Sequence, residues 1–131
     1  LSTFGGNPVS SAAANATLEV IEQENLAQNA EVMGARLRNG LEELQRKHPK
    51  HLGDVRGKGL MLGMEIADDF RTPRGDLAAR LTSAAEAQGL LLLRCGTEGQ
   101  IVRWLPPLTV SSAEVDEAVA RFTRAAEQVA A

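Results

Sequence analysis

Tyrosine is absent from this chain of 131 residues, tryptophan occurs once and phenylalanine three times. So few aromatic platforms, with a formal net charge of -3, speak against nucleic-acid binding, which draws on stacking and a basic excess. Cysteine also occurs once, at Cys95. No internal disulfide can form, a small secreted scaffold stapled by bridges is excluded, and a reducing cytoplasm is the expected compartment. No run approaches the ~20 apolar residues that span a bilayer. The first residues lack the basic, apolar and small-residue regions of a secretory signal, so no membrane association is expected. Metal ligands are scarce too: His48 and His51 have no thiol or carboxylate at ligand spacing, and an exposed turn suits them better than a metal site.

What is present is ordinary for a globular chain, with 44% hydrophobic and 24% charged residues in a length that fits one domain with a real core. The chain opens on Leu, and Ser2 to Pro8 read as a loop in mid-course, so a piece of something longer is expected. Asn7 can cap a helix that begins at Pro8, where a missing N–H costs nothing, and runs to about Glu24. Its early part, Ser10 to Ala16, has only small side chains that permit close approach, and Leu18, Val20 and Ile21 supply an apolar face. From Leu26 to about Lys47, Leu26, Ala30, Met33, Leu37, Leu41 and Leu44 recur at three and four, a helix with one buried stripe. Arg46, Lys47 and His48 suit the negative end of its dipole, and Pro49 stops it.

The next segment alternates, with Leu60, Leu62, Met64 and Ile66 on one face of a strand. Gly57-Lys58-Gly59 before it lacks phosphate-loop spacing and is followed by a strand where a helix is required, so a bulge or kink is expected there. Asp76 is placed to cap a helix from about Leu77 to Gln88 that Gly89 terminates. Two more strands follow, Leu90 to Arg94 and Ile101 to Leu105. Ser111 and Glu114 then make a capping box for a last helix whose apolar face is Val115, Val119, Phe122, Ala126 and Val129. Strands this close in sequence cannot be joined by regular crossovers. The fold class is therefore α+β: a small, mainly antiparallel sheet of three to four strands with helices on one face.

Two places invite an anion. Ile101-Val102-Arg103-Trp104-Leu105-Pro106-Pro107-Leu108 sets one arginine into an apolar strand that two prolines end, and such a cation either meets a negative partner or points to water from a half-buried strand. Thr3, Gly5 and Gly6 offer a hydroxyl and flexible amides that can form an anion nest or simply a tight interdomain turn.

In series, the Ser2-Thr3-Phe4-Gly5-Gly6-Asn7-Pro8 loop, the strand Val55 to Glu65 and the strand Ile101 to Leu108 resemble the class III aminotransferases, which use pyridoxal 5'-phosphate. The resemblance covers essentially the whole chain, in order. It implies the C-terminal third of a fold type I enzyme: residues 1–24 as the end of the cofactor domain's last loop and the interdomain helix, and residues 25–131 as the C-terminal small domain. It implies that Thr3 binds the phosphate of the cofactor held by the partner subunit of a homodimer, and that Arg103 clamps the carboxylate of the amino acid and 2-oxo acid substrates. The planar guanidinium fork suits such a carboxylate. The lysine that carries the cofactor and the carboxylate that pairs with its pyridine nitrogen lie upstream in that family, and Lys47, Lys50 and Lys58 match neither position. No catalytic residue and no bound cofactor are expected in this stretch by itself.

Within the class, Leu91 to Gln100 look most like the 4-aminobutyrate aminotransferase branch, although Glu98 stands where an uncharged residue is more usual. Acetylornithine and ornithine aminotransferases share the arginine and the prolines. The reading from the fold pattern alone is a non-enzymatic α+β binding or dimerisation module, and a third reading is a pure scaffold with Arg103 in an internal ion pair to Glu65 or Glu98.

Overall fold

The computed structural model describes residues 3–69 and 71–130. Its elements follow in the order α1 (Pro8–Gln23), α2 (Leu26–Lys47), β1 (Leu52–Lys58), β2 (Met61–Asp68), β3 (Thr72–Pro73), α3 (Gly75–Ala87), β4 (Leu93–Cys95), β5 (Ile101–Trp104) and α4 (Ser112–Ala130). The strands pair antiparallel in the order β1-β2-β5-β4, with the two-residue β3 on β2 alone. The architecture is α+β, as the pattern of elements predicts, with the short β3 added to the expected strands. No described helix is long and apolar enough to cross a membrane.

Alternation along β2 and β5 decides which way the sheet faces. Leu62, Met64 and Ile66 of β2 are buried, as are Val102 and Trp104 of β5. They meet Leu37, Leu41 and Leu44 from α2, Leu77 and Leu81 from α3, and Val115 and Phe122 from α4. The opposite face carries exposed Arg56, Met61, Leu93 and Arg103. Trp104 and Phe122 meet edge to face, centroids 5.2 Å apart at 86°. The indole Nε1 is buried with no partner among the described residues. Leaving that donor unmet costs about 1–3 kcal/mol, yet burying 150–250 Å² of aromatic surface gives roughly 4–6 kcal/mol, so the ring stays inside.

Several local expectations give way to specific contacts. Asp76 does not cap α3: Arg74 holds the N-cap position without a side-chain bond, and its guanidinium forks onto Asp76 at 2.8 and 2.7 Å. The same guanidinium reaches Asp68 at 2.7 Å, and Asp68 meets His51 Nδ1 at 2.8 Å. His51 is thus half-buried in a polar chain that ties the start of β1 to the end of β2 and the first turn of α3, not loose in an exposed turn. No group of side chains able to hold a metal ion occurs among the described residues. Strand β4 starts at Leu93 because the Leu90 N–H closes α3 instead, donating to the Ala85 carbonyl at 2.9 Å across Gly89 at φ 77°. The capping box forms as expected, Ser111 N to Glu114 Oε2 at 2.8 Å and Glu114 N to Ser111 Oγ at 3.3 Å. Helix α1 buries no side chain, and its apolar residues Leu18 and Val20 are exposed.

The irregularity expected at Gly57 to Gly59 is one of backbone conformation, with Gly57 at φ 137° and Gly59 at φ 54°, and not of pairing. The register of β1 against β2 shifts between Leu52 and Val55, whereas Lys58 pairs with Met61. Gly59, at φ 54°, opens the two-residue hairpin turn between them. Helix α2 seats directly on this turn at Gly34, where an added Cβ would lie 2.2 Å from the Gly59 carbonyl carbon. Gly34→Ala is expected to destabilise the protein by about 1–3 kcal/mol through overpacking, despite the roughly 1 kcal/mol that alanine gains over glycine inside a helix. Gly40→Ala on the same helix meets the Val119 methyl groups at 2.9 and 3.0 Å, a side chain and not backbone, and should cost less than Gly34→Ala, a contrast that urea denaturation of the two variants measures.

The polar chain also sets an acid limb. Arg74 holds the Asp76 carboxyl well below the usual carboxylate range, and Arg74 and then His51 lower Asp68. Groups depressed on folding stabilise above their unfolded pKa of ~3.9 and lose that contribution as pH falls through the folded value. Melting temperature should therefore fall below about pH 4, and Arg74→Met should flatten that fall when both proteins are followed from pH 7 to pH 2.

Candidate functional site

Arg103 owes its position to two strand registers. In β5 it lies between buried Val102 and Trp104, so its side chain leaves on the open face of the sheet. It stands directly opposite Gly63 of β2 on one side and Leu93 of β4 on the other. Leu93 and Leu105 are both about three-fifths exposed, so the guanidinium emerges among apolar side chains. Pro106 and Pro107 end the strand. Arg103, Leu91, Leu93, Leu105 and Pro106 line part of a cleft of about 400 Å³ that continues to Glu114 on α4.

The β4–β5 turn makes this register stiff. Gly96 at φ 92° and Gly99 at φ 67° take left-handed conformations. Gln100 is buried and its Oε1 accepts the Glu98 N–H at 3.1 Å. The Gln100 carbonyl in turn accepts from Ile66 N at 2.8 Å, joining the turn to β2.

No ion-pair or hydrogen-bond partner of Arg103 occurs among the described residues, which corrects the internal ion pair expected with Glu65 or Glu98. Glu65 is taken by Arg56, whose Nη1 lies 2.7 Å from Oε2 and 3.4 Å from Asp54 Oδ2. The Glu65 hydrogen bond holds the Arg56 guanidinium above its ordinary pKa. Local sequence reasoning passed over this pair. The alternation of Val55-Arg56 and Met64-Glu65 on neighbouring strands was the signal that could have revealed it.

Thr3 lies at a different place, in the exposed turn before α1, and the contacts of α1 are with α2 only. The structure therefore does not bring Thr3 to Arg103. Asn7 is committed to the helix, its Oδ1 accepting from Val9 N at 3.0 Å and Ser10 N at 3.2 Å. The Thr3 hydroxyl and the Gly5 and Gly6 amides have no partner among the described residues, and Gly6 sits at φ 79°. Of the lysines, Lys47 is exposed and pairs with Glu43 at 3.2 Å, and Lys50 and Lys58 are exposed.

A family profile, aminotransferase class-III, matches residues 1–126. The chain belongs to the class-III aminotransferases. It is 45% identical over 130 residues to the acetylornithine aminotransferase of Thermosynechococcus vestitus, covering 99% of this chain and 30% of that protein. It is 41% identical over 115 residues to the 4-aminobutyrate aminotransferase GabT of Escherichia coli, covering 86% and 27%. A crystal structure of acetylornithine aminotransferase from Elizabethkingia anophelis superposes with a TM-score of 0.86 at 35% identity, over 98% of this chain and 32% of that one. The chain thus spans less than a third of the length of the curated relatives it matches.

For this class-III aminotransferase chain the geometry makes Arg103 dispensable to folding, because it is exposed and unpaired among the described residues. Arg103→Gln should leave the urea midpoint unchanged within about 0.5 kcal/mol, the usual range for a surface substitution. A larger loss, by equilibrium denaturation, would mean that Arg103 supports the sheet.

Proposed function

We propose that this chain is the C-terminal part of a pyridoxal-phosphate-dependent aminotransferase that moves an amino group from an ω-amino acid, 4-aminobutyrate or a homologue, to a 2-oxo acid such as 2-oxoglutarate. Residues 1–24 are the end of the cofactor-domain loop and the interdomain helix, and residues 25–131 the small domain. The enzyme works as a cytoplasmic homodimer. The observation that carries the reading is Arg103: a residue whose place on the open face is set by two registers, exposed among leucines, with no acidic side chain paired to it among the described residues.

Such a group does one thing well. Its planar fork can meet a carboxylate with two parallel charge-assisted bonds, fixing orientation as well as charge. The surrounding Leu93 and Leu105 offer an apolar surface to the methylenes of the substrate. Holding the carboxylate this way places the carbon that exchanges its amino group, and orientation of that kind supplies much of an enzyme's rate.

Pyridoxal phosphate fits the other end of the chain in part. The Thr3 hydroxyl and the loop amides of Gly5 and Gly6, free of partners among the described residues, suit a phosphate dianion, and in this reading they hold the phosphate bound by the partner subunit. No lysine described here is buried enough to carry the cofactor. When bound, the group supplies an electron sink for the transfer. Identity to acetylornithine aminotransferase is as high as to the 4-aminobutyrate enzyme. An acetylornithine or ornithine donor is therefore the second reading, and the same arginine would serve it.

The test uses Arg103→Lys in the intact enzyme. The charge is kept and the fork is lost, so the specificity constant for a carboxylated donor should fall roughly 10- to 100-fold, the equivalent of charge-assisted bonds worth ~1.5–3 kcal/mol. An amine without the carboxylate should react equally with both proteins. Equal losses for both amines in single-turnover rates would remove Arg103 from substrate binding.

A further inference from the structure

A second groove lies behind one wall of the Arg103 cleft. Leu105 and Pro106 line that cleft and also a groove of about 710 Å³, lined beyond them by Ala27, Ala30 and Gly34 of α2 and by Lys58 and Met61. Residues 105–110 are thus a partition with open space on both sides. They belong to no helix or strand, and Pro106 and Pro107 remove two backbone donors. Leu105 and Leu108 are exposed, so packing does not fix where the partition stands. One side chain does. Asn29, in the first turn of α2, donates through Nδ2 to the Leu108 carbonyl at 2.7 Å and to the Val110 carbonyl at 3.1 Å. Both partners are acceptors, so the amide nitrogen and not its oxygen must face them. Among the described residues no other side chain bonds to residues 105–110, whose remaining tie is Val110 N to the Pro107 carbonyl at 3.1 Å. The post itself is firm: α2 buries Leu26 and is seated on the β1–β2 turn at Gly34.

We propose that Asn29 is a positioning residue for donor selectivity: it fixes the Leu105–Pro106 wall, and with it the length of substrate that the Arg103 cleft fits. This rests on the reading of that cleft as the place of the substrate. With its carboxylate on Arg103, a donor lays its methylenes along Leu105, and a wall held in one place favours the chain that matches it. One methylene in a fixed apolar site is worth about 10-fold or more. A wall that drifts keeps the apolar contact but loses the match, so the best-fitting donor loses most and a longer one little. Asn29 touches no substrate in this arrangement and acts only through residues 105–110.

Three variants of the intact enzyme decide it: Asn29→Ala, which removes the amide; Asn29→Asp, which keeps the shape but turns a carboxylate toward two carbonyls; and Asn29→Gln, which keeps the donor on a longer arm. Amide hydrogen exchange, read by peptide mass spectrometry without substrate, should quicken about 5- to 10-fold over residues 108–111 in the first two, the size expected for losing two hydrogen bonds at a partly exposed site. Residues 101–104 should keep the wild-type rate, and Asn29→Gln should stay within about 2-fold of wild type throughout. The second measurement is the ratio of specificity constants for the best carboxylated donor and for the same donor one methylene longer. It should fall about 3- to 10-fold in Asn29→Ala and Asn29→Asp and hold in Asn29→Gln. Wild-type exchange in Asn29→Ala and Asn29→Asp overturns the proposal. So does faster exchange with equal losses on both donors, which would make Asn29 a structural tie and nothing more. The exchange needs no substrate and so stands apart from the clamp, which the comparison of Arg103→Lys on the two amines tests.

Discussion

The pairing of β2 with β5 is the constraint on which the rest depends. Side chains alternate with a period of two, so a slip of one residue would turn Arg103 and Glu65 into the helical layer and push Trp104, Val102 and Met64 out. Burying an unmatched guanidinium is among the most costly changes a core can suffer. The buried residues of β5, Val102 and Trp104, therefore hold the register, and a polar residue between them is all that the open face requires. The helices add to one side only: Phe122 and Leu37 share the core with Trp104 and its neighbours, and the opposite face is left exposed at Arg56, Met61, Leu93 and Arg103.

Close backbone approach does the remaining work of assembly. Helix α2 rests on the β1–β2 turn through Gly34 and Gly59, and the first turn of α3 meets the β4–β5 turn where Gly75 leaves no room for a Cβ beside the Glu98 carbonyl. These two contacts fasten both hairpin tips to helices. A third fastening is polar, the Arg38 guanidinium donating to the Val55 and Gly57 carbonyls at 2.7 Å each. It satisfies outward carbonyls of β1, an edge strand that would otherwise present them to solvent or to another chain.

Much of this was legible in the sequence wherever a period or a cap governs. The stripe of α2 is buried at Leu26, Leu37, Leu41 and Leu44, β2 is buried at the expected alternate positions, and the Ser111–Glu114 box closes as the spacing requires. The oddity of an arginine within Ile101-Val102-Arg103-Trp104 was equally plain. What could not be read was which distant residue answers a local one. Asp76 has the composition of a cap, but Arg74 claims its carboxylate. Glu65 has the charge to pair with Arg103, but β1 brings Arg56 to it first. Gly57-Lys58-Gly59 announces an irregularity without saying that the hairpin turn uses Gly59 and that the register shift lies at Leu52 to Val55. Each of these was decided by a register between strands, and a register has no local signature. The loop at Thr3 lies at the other limit: its residue types suit an anion nest or a tight turn alike, and the few contacts around it decide between neither.

Trp104 has one more consequence. With no tyrosine and a single tryptophan in the chain, near-ultraviolet emission excited at the red edge comes from one indole, fixed against Phe122 and without a hydrogen-bond partner among the described residues. It neighbours Arg103 along the strand but faces the other way. The chain therefore carries its own fluorophore on the dry side of the sheet, with a blue-shifted emission set by packing. Trp104 nonetheless lines the same cleft as Arg103, so a ligand seated there would change the surroundings of the indole directly.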